Sequence, residues 1–141
     1  MLYLTIGSAS QLNVTLYENC TNTTNPYFAW SITDCDTNVS YVFTNQDNSP
    51  APEYFNRFTF SVVTGATYGL TAGIIPCSSG QFVYNIYEMT TQYDLDISNA
   101  VPNINSADGI VETGILNVIG TYSQNIITFT QSQNIIVFRN N

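Results

Sequence analysis

Short segments in which apolar and polar residues strictly alternate are the feature that most constrains the fold of this chain. In residues 11–17, Leu12, Val14 and Leu16 alternate with polar side chains or tyrosine. Successive side chains of a strand point to opposite faces, so this pattern predicts a strand with one buried face. Three further segments show the same period of two, with these residues in register: Phe28, Trp30 and Ile32; Phe58, Phe60 and Val62; Phe82, Tyr84 and Ile86.

Other parts of the chain also indicate strands, and none has helical periodicity. Valine, isoleucine, threonine and aromatic residues favour strands. Strands are expected at residues 27–33, 39–44, 55–63, 68–71, 81–88 and 110–119, and at two short C-terminal stretches, 126–129 and 135–138. The Pro-containing segment 46–53 and the acidic segment 93–109 are expected to be connections. Seven or more short strands predict a β-sandwich or a small barrel.

The length of 141 residues predicts one domain, or one domain with an arm. Residues 1–120 are expected to form the β-sandwich domain, and residues 121–141 a C-terminal strand extension or arm. Apolar strands at a terminus must pair to avoid aggregation. They could close the domain's own sheet, which is the favoured alternative, or add a strand to a neighbouring molecule.

The absence of histidine and lysine limits the chemistry available to the chain. Arg57 and Arg139 are the only basic residues, against ten acids, and the net charge is −8. Histidine is the commonest general acid or base, so an enzyme is not expected, and neither is a cofactor. Nucleic acids and anionic membranes are not expected as partners, because both bind clustered lysine and arginine. No apolar stretch is long enough to predict a membrane span or a signal peptide.

Three cysteines, Cys20, Cys35 and Cys77, are an odd number and lack zinc-site spacing. Free thiols in a reducing compartment are the favoured interpretation. A disulfide between Cys20 and Cys35, flanking one hairpin, is the alternative.

Two Asp-x-Asp pairs are candidate calcium ligands: Asp34 with Asp36, and Asp94 with Asp96. Each lacks the additional carboxylates and the glycine of a calcium loop. The favoured interpretation is a turn in which the aspartate accepts hydrogen bonds from its own backbone.

Other side chains are candidates for catalysis or binding. Glu88 and Glu112 could form a carboxylate pair for glycoside cleavage, although nothing in the sequence brings them together. Cys77 as a nucleophile would need a base, and the chain has no histidine to provide one. Arg57 is expected to pair with an acid or stack on an aromatic ring. Exposed tyrosines could form a binding surface, and the candidates are Tyr17, Tyr27, Tyr41, Tyr84, Tyr87 and Tyr93.

Five phrases in order resemble a family of small β proteins of short-tailed bacteriophages, including those related to the crAss-like group. The phrases are LNVTLYE at 12–18, TNPYFAW at 24–30, YFNRFTF at 54–60, GQFVYNIYE at 80–88 and GIVETGILNV at 109–118. The resemblance covers roughly residues 10–120. The absence of lysine, the three cysteines and the C-terminal extension depart from the pattern.

The resemblance implies an immunoglobulin-like β-sandwich that acts as a head auxiliary protein, also called a capsid decoration or cement protein. The family has no catalytic residues, so none is transferred, and no metal or cofactor site is expected. The implied partner is the major capsid protein on the outer surface of the virion, after synthesis in the host cytoplasm, with a homo-oligomer as a further possibility. The alternative function is a receptor- or glycan-binding module on a phage tail, connector or fibre.

Overall fold

The computed structural model describes residues 1–21, 26–66, 73–89 and 107–120, which form a β-sandwich. The strands are β1 (Leu2–Thr5), β2 (Ala9–Val14), β3 (Tyr27–Asp34), β4 (Ser40–Thr44), β5 (Asn56–Val62), β6 (Ile74–Ile75), β7 (Gly80–Met89) and β8 (Ala107–Ile119). A 3-10 turn, Tyr17–Asn19, follows β2. The all-β sandwich expected from the alternation is confirmed, and its immunoglobulin-like character stays a prediction.

Within the described ranges, two sheets make up the sandwich. One has five strands in the order β1-β8-β7-β3-β4, and the other has three in the order β2-β5-β6. The pairs β1–β8 and β5–β6 are parallel, and the remaining pairs are antiparallel. Strand β8 has register shifts against β7 after Ile86 and after Glu88, where β8 carries an additional residue.

The segment after β1 connects the two sheets. Leu2–Thr5 pairs with the end of β8 in the five-stranded sheet. The Ile6 N–H then donates to the Ile119 carbonyl at 2.9 Å, and the Gly7 N–H donates to the Val62 carbonyl of β5 at 3.0 Å. Gly7 has a φ of 79°, a conformation that glycine adopts without steric cost, and this lets the chain turn from one sheet to the other.

The core lies between the sheets and is built from the alternating residues of both. Trp30 of β3 lies edge-on to Phe58 and Phe60 of β5, with ring centroids 5.3 Å and 5.2 Å away. Edge-to-face contacts of this kind add to the free energy gained by burial. Phe58, Phe82 and Ile86 are completely buried. The apolar faces predicted from the sequence therefore meet in one core.

Strand β3 is buried on both faces, which differs from the predicted half-buried strand. Ala29 and Ser31 were expected on the outer face, yet they are 0% and 6% exposed. β3 is an interior strand that pairs with both β7 and β4. The larger residues Tyr87 and Val42 lie opposite Ala29 and Ser31 on these neighbouring strands.

Several boundaries differ from the sequence prediction. Strands β1 and β6 were not predicted, because four and two residues are too short for a clear period. The strand predicted at residues 11–17 is β2, which ends at Val14, and Tyr17 begins the 3-10 turn. The connection predicted to extend to Gly109 instead ends earlier, because β8 begins at Ala107. Residues 68–71, 93–106 and the extension 121–141 lie outside the described residues.

Thr44, opposite Ala29 on β4, supplies a test of this buried surface. Thr44 is 5% exposed, and its hydroxyl has no hydrogen-bond partner within the described ranges. A buried hydroxyl without a partner is destabilising, so Thr44→Val should raise the free energy of unfolding by about 1 kcal/mol. Urea denaturation measures the change.

Thr33→Val is the matched control for Thr44→Val. The Thr33 hydroxyl lies 2.8 Å from the Ser40 hydroxyl, so its removal breaks a hydrogen bond. We expect no gain in stability for this variant. A Thr44→Val protein less stable than the wild type would show that the Thr44 hydroxyl is satisfied.

Candidate functional site

The carboxylate of Asp34 organises the β3–β4 turn. It accepts hydrogen bonds from the backbone N–H groups of Asp36 at 2.7 Å and Thr37 at 3.0 Å. The bond from Thr37, followed by that from Asp36, lowers the pKa of Asp34. Asn38 closes the turn with a φ of 58°. This is the capped turn favoured from the sequence. The second pair, Asp94 and Asp96, lies outside the described residues.

The described part of the chain contains no group of three or more histidine, cysteine, aspartate or glutamate side chains that could hold a metal ion. None of its helical segments is long and apolar enough to cross a membrane.

Glu88 and Glu112 lie on neighbouring strands, a proximity that the sequence did not indicate. Glu88 is opposite Gly109, and Glu112 is opposite Ile86. Glu88 is 1% exposed, and its carboxylate accepts a hydrogen bond from the Thr21 N–H at 2.7 Å. The Glu88 carboxylate therefore has a hydrogen-bond partner within the fold.

Glu112 holds a tyrosine in the core. The Tyr84 hydroxyl donates to Glu112 Oε1 at 2.6 Å, and Tyr84 is 4% exposed. Burial raises the pKa of Tyr84, and the hydrogen bond to Glu112 raises it further. Gly114 lies opposite Tyr84 on β8, so the tyrosine ring packs directly against the backbone there. Tyr84 was among the tyrosines predicted as candidates for an exposed binding surface. That prediction is wrong for Tyr84, because its side chain is buried.

Gly114→Ala should disrupt this arrangement. A Cβ at residue 114 would lie 2.8 Å from both the hydroxyl oxygen and a ring carbon of Tyr84. Moving the ring would strain the core and the bond to Glu112, and overpacking of this kind costs about 1–3 kcal/mol. Thermal unfolding measures the loss. Gly80→Ala on β7 is the control, because its Cβ would make only ordinary contacts at 3.7 Å or more. Equal melting temperatures for the two variants would contradict the close packing.

The three cysteines are free thiols in different environments. Cys35 is exposed, Cys20 is half-buried and Cys77 is buried, so the alternative of a Cys20–Cys35 disulfide is not observed. Burial raises the pKa of Cys77 to about 11. Burial also raises the pKa of Cys20 to about 11, and the negative charge of Glu88 contributes.

These environments predict unequal reaction with a thiol reagent such as DTNB. The thiolate is the reactive form, and at pH 8 a thiol of pKa about 11 is ionised in roughly one molecule in a thousand. We expect one fast-reacting thiol per native chain, Cys35, and three after unfolding. Cys35→Ser should remove the fast phase. Two or more fast phases in the native protein would contradict the burial of Cys20 and Cys77.

Arg57 stacks on an aromatic ring, one of the two roles expected for it. Its guanidinium carbon lies 5.3 Å from the centroid of Phe55. Its Nε–H donates to Asn13 Oδ1 at 3.3 Å across the β2–β5 pair. This is a structural contact at the surface of the smaller sheet.

Asp47 and Asn56 fix the loop between β4 and β5. Asp47 Oδ1 accepts hydrogen bonds from the N–H groups of Ser49 and Arg57, each at 2.9 Å. Asp47 Oδ2 accepts from the Asn56 side chain at 2.7 Å, and Asn56 Oδ1 accepts from the Leu16 N–H at 3.0 Å. Sequence reasoning missed this network. An aspartate followed two residues later by serine is a local turn signal, but the asparagine partner is not local.

The tyrosine candidates do not form an exposed cluster in the described structure. Tyr17, Tyr27, Tyr41 and Tyr87 are half-buried, and Tyr93 lies outside the described residues. Among the described tyrosines, those with high exposure are Tyr3 at 55% and Tyr54 at 75%, which were not among the candidates.

The outer surface of β1, β8 and β7 is the most distinctive exposed region. We call it the neutral face and define it by the outward-facing residues Tyr3 and Thr5 of β1, alternate residues from Gln81 to Tyr87 of β7, and Ile110, Thr113, Ile115, Asn117 and Ile119 of β8. It carries several of the exposed large apolar side chains: Tyr3, Val83, Ile110 and Ile119. The side chains in this definition are all uncharged.

No protein family, curated protein or solved structure matches this chain.

Proposed function

We propose that this protein is a structural component of a bacteriophage virion: a capsid decoration, or cement, protein that binds the major capsid protein on the outer surface of the shell. The proposal rests first on the ordered phrases that resemble head auxiliary proteins. The observation that supports it most is that candidate catalytic or calcium-binding carboxylates of the described structure are used within the fold. Asp34, Glu88 and Glu112 each accept a hydrogen bond from another residue of the chain.

The physical basis of this role is selective binding to the assembled shell. A protein that bridges neighbouring capsomers binds the assembled state and not the separate subunits, so it stabilises the assembly by mass action. Interfaces of roughly 1,600 Å² are sufficient for specific association, and many symmetric copies act multivalently. A rigid sandwich with an aromatic core suits this task. The net charge of −8 would complement a basic surface on the capsid subunit and disfavour contact with DNA.

The C-terminal extension is the proposed contact with the capsid. Residues 126–129 (Ile-Ile-Thr-Phe) and 135–138 (Ile-Ile-Val-Phe) have the composition of strands. Such a strand could pair with the sheet edge of a capsid subunit. It would form backbone hydrogen bonds there and place its apolar side chains in pockets of that subunit. These residues lie outside the described structure, so the sequence alone carries this part of the proposal.

Quantitative mass spectrometry of purified virus particles tests the proposed location. We expect a ratio of this chain to the major capsid protein near one, or a simple fraction of it. A ratio as small as that of a portal subunit would contradict the decoration role and favour a receptor-binding position on a tail, connector or fibre. Absence from the particles would reject both.

Reconstitution tests the activity itself. Purified protein added to expanded capsids that lack it should bind and raise the temperature at which the shells break. A chain truncated after Gly120 should lose most of this binding while keeping a cooperative unfolding transition. Unchanged binding by the truncated chain would reject the C-terminal contact, and failure of the full chain to bind would reject the decoration role.

A further inference from the structure

Strand β2 is the outer strand of the three-stranded sheet, and the direction of its backbone groups follows from its pairing with β5. The Ser61 N–H of β5 donates to the Gly73 carbonyl, on the side away from β2. The Arg57 N–H likewise donates to the loop before β5 and not to β2. Their partners on β2, Ala9 and Asn13, are therefore in pairs that are not hydrogen-bonded.

The outer edge of β2 is open. Hydrogen-bonded and non-hydrogen-bonded pairs alternate along an antiparallel ladder, so Gln11 has the same orientation as Ala9 and Asn13. All three residues are exposed and direct their backbone N–H and C=O groups away from β5. No strand within the described ranges pairs with this side of β2. The edge is therefore able to accept an additional strand.

The other edge strands are shorter than β2, and two of them are partly closed. On β1, the Thr5 N–H donates to Ser10 Oγ at 3.4 Å, and the Thr5 carbonyl accepts from the Ser8 N–H at 3.3 Å. On β4, the Thr44 carbonyl accepts from the Gly73 N–H at 3.2 Å. Strand β6 has only two residues. Strand β2 has six, without the proline or charged residue that usually protects an edge.

The apolar core is incompletely covered beside this edge. Leu2 and Ile6 share one side of the chain with the buried Leu4, because they alternate with it, yet both are only half-buried. The segment that contains them is in contact with β2. A strand added to β2 would bring its inward side chains towards Leu2 and Ile6, and burying the remaining apolar surface there is favourable.

The chain leaves the described sandwich close to the same edge. Strand β8 ends at Ile119, whose carbonyl accepts the Ile6 N–H at 2.9 Å, and Ile6 is three residues before the start of β2. Residues 121–125 span about 17 Å when fully extended. Packed sheets are about 10 Å apart, so this segment is long enough to connect β8 to the edge of β2.

The next segment has the pattern of a strand with one solvated face. Its residues are Ile126, Ile127, Thr128, Phe129 and Thr130. Ile127 and Phe129 share one face, which suits the half-buried apolar residues beside β2, and both threonines lie on the other. Residues 135–138 are apolar on both faces, so they fit this position less well.

The direction of the chain determines how this segment would pair. Strand β8 is parallel to β1, and the Ile6–Val62 bridge shows that the end of this segment runs parallel to β5. Strand β2 is antiparallel to β5, and therefore also to β8. A segment that leaves β8 and turns back consequently runs parallel to β2.

We propose that residues 126–130 add to the open edge of β2 in the same molecule, as a parallel fourth strand of the smaller sheet. This inference does not depend on the capsid role, and it leaves residues 135–138 for the proposed contact with a capsid subunit. A chain that covers its β2 edge in this way but does not bind capsids would leave the inference standing and remove the proposed function.

Amide hydrogen exchange of the full chain, followed residue by residue by NMR, tests the proposal. The Gln11 and Asn13 amides should exchange at least about tenfold more slowly than those of an unstructured chain, whereas amides on an open edge exchange close to the unstructured rate. Leu12 is the internal reference, because its N–H bonds to β5 whether or not the edge is occupied.

Substitutions in the segment identify what covers the edge. Ile127→Asp should abolish the protection of Gln11 and Asn13, because it places a carboxylate against apolar surface. Phe129→Asp is a second variant on the same face and should act alike. Ile136→Asp is the matched control: it makes the same replacement in residues 135–138, with the same change of charge, and should leave the protection unchanged. Protection of Leu12 checks that each variant is folded.

Three results would overturn the proposal. The first is fast exchange of Gln11 and Asn13 in the wild-type chain. The second is protection that survives both Ile127→Asp and Phe129→Asp, or that is lost in Ile136→Asp, because a different segment would then cover the edge. The third is protection that disappears on dilution from about 500 µM to about 20 µM, because pairing within one molecule is independent of concentration.

Discussion

Replacing Trp30 with alanine is expected to lower the free energy of unfolding by about 3–5 kcal/mol. Trp30 is 1% exposed and is central to the aromatic core. Its ring lies edge-on to Phe58 and Phe60 of the opposite sheet and stacks with Phe43, whose centroid is 6.4 Å away. The substitution removes contacts between the two sheets and leaves a cavity that the surrounding strands cannot close. Urea denaturation followed by circular dichroism measures the change, because Trp30 is the only tryptophan available for fluorescence.

Two comparisons separate packing from the loss of an aromatic residue. Tyr54→Ala removes an aromatic side chain that is 75% exposed, and its effect should stay within about 0.5 kcal/mol. Trp30→Phe keeps a ring in the core. Because the Trp30 indole N–H has no hydrogen-bond partner in the described ranges, this variant should lose packing alone and cost less than Trp30→Ala. Equal effects of Trp30→Ala and Tyr54→Ala would contradict the core described above.

Replacing Asn56 with alanine should cost about 2–4 kcal/mol, the second largest effect expected. Asn56 is 1% exposed, and its amide joins the Leu16 N–H to the carboxylate of Asp47. Alanine would leave a backbone N–H without its side-chain acceptor and a carboxylate oxygen without its donor. The loop between β4 and β5 would then lose its connection to the end of β2. Chemical denaturation with the linear extrapolation method measures the loss.

Asn13→Ala is the matched control for Asn56→Ala. Asn13 is exposed on β2 and accepts one hydrogen bond, from Arg57, so its removal should cost no more than about 0.5 kcal/mol. A double-mutant cycle with Asp47→Ala should show coupling between Asp47 and Asn56, because they share one hydrogen bond. Additive effects of Asp47→Ala and Asn56→Ala would mean that this bond contributes little to stability.

Local patterns account for what the sequence predicted correctly. Strands β2, β5 and β7 each bury one face, so a period of two was visible in residues such as Leu12, Phe58 and Phe82. The Asp34 turn was also predictable, because an aspartate that caps its own turn contacts only residues two or three positions away.

The contacts that sequence reasoning missed are those between distant residues. No pattern near Glu112 indicates that its partner is Tyr84, or that Gly114 leaves room for the tyrosine ring. The parallel pairing of β1 with β8 was likewise hidden, since four residues carry too little periodicity. The burial of Ala29 follows from the position of β3 inside the sheet, which is set by tertiary pairing.

The pairing of Leu2 with Leu116 also has a consequence for synthesis on the ribosome. On the order of a hundred residues separate these partners, and at about 5–20 residues per second β1 waits on the order of ten seconds for β8. During that interval β1 of one nascent chain can meet the β8 edge of another chain on the same message. Exchange of β1 between neighbouring chains is therefore the misfolding route that this topology favours.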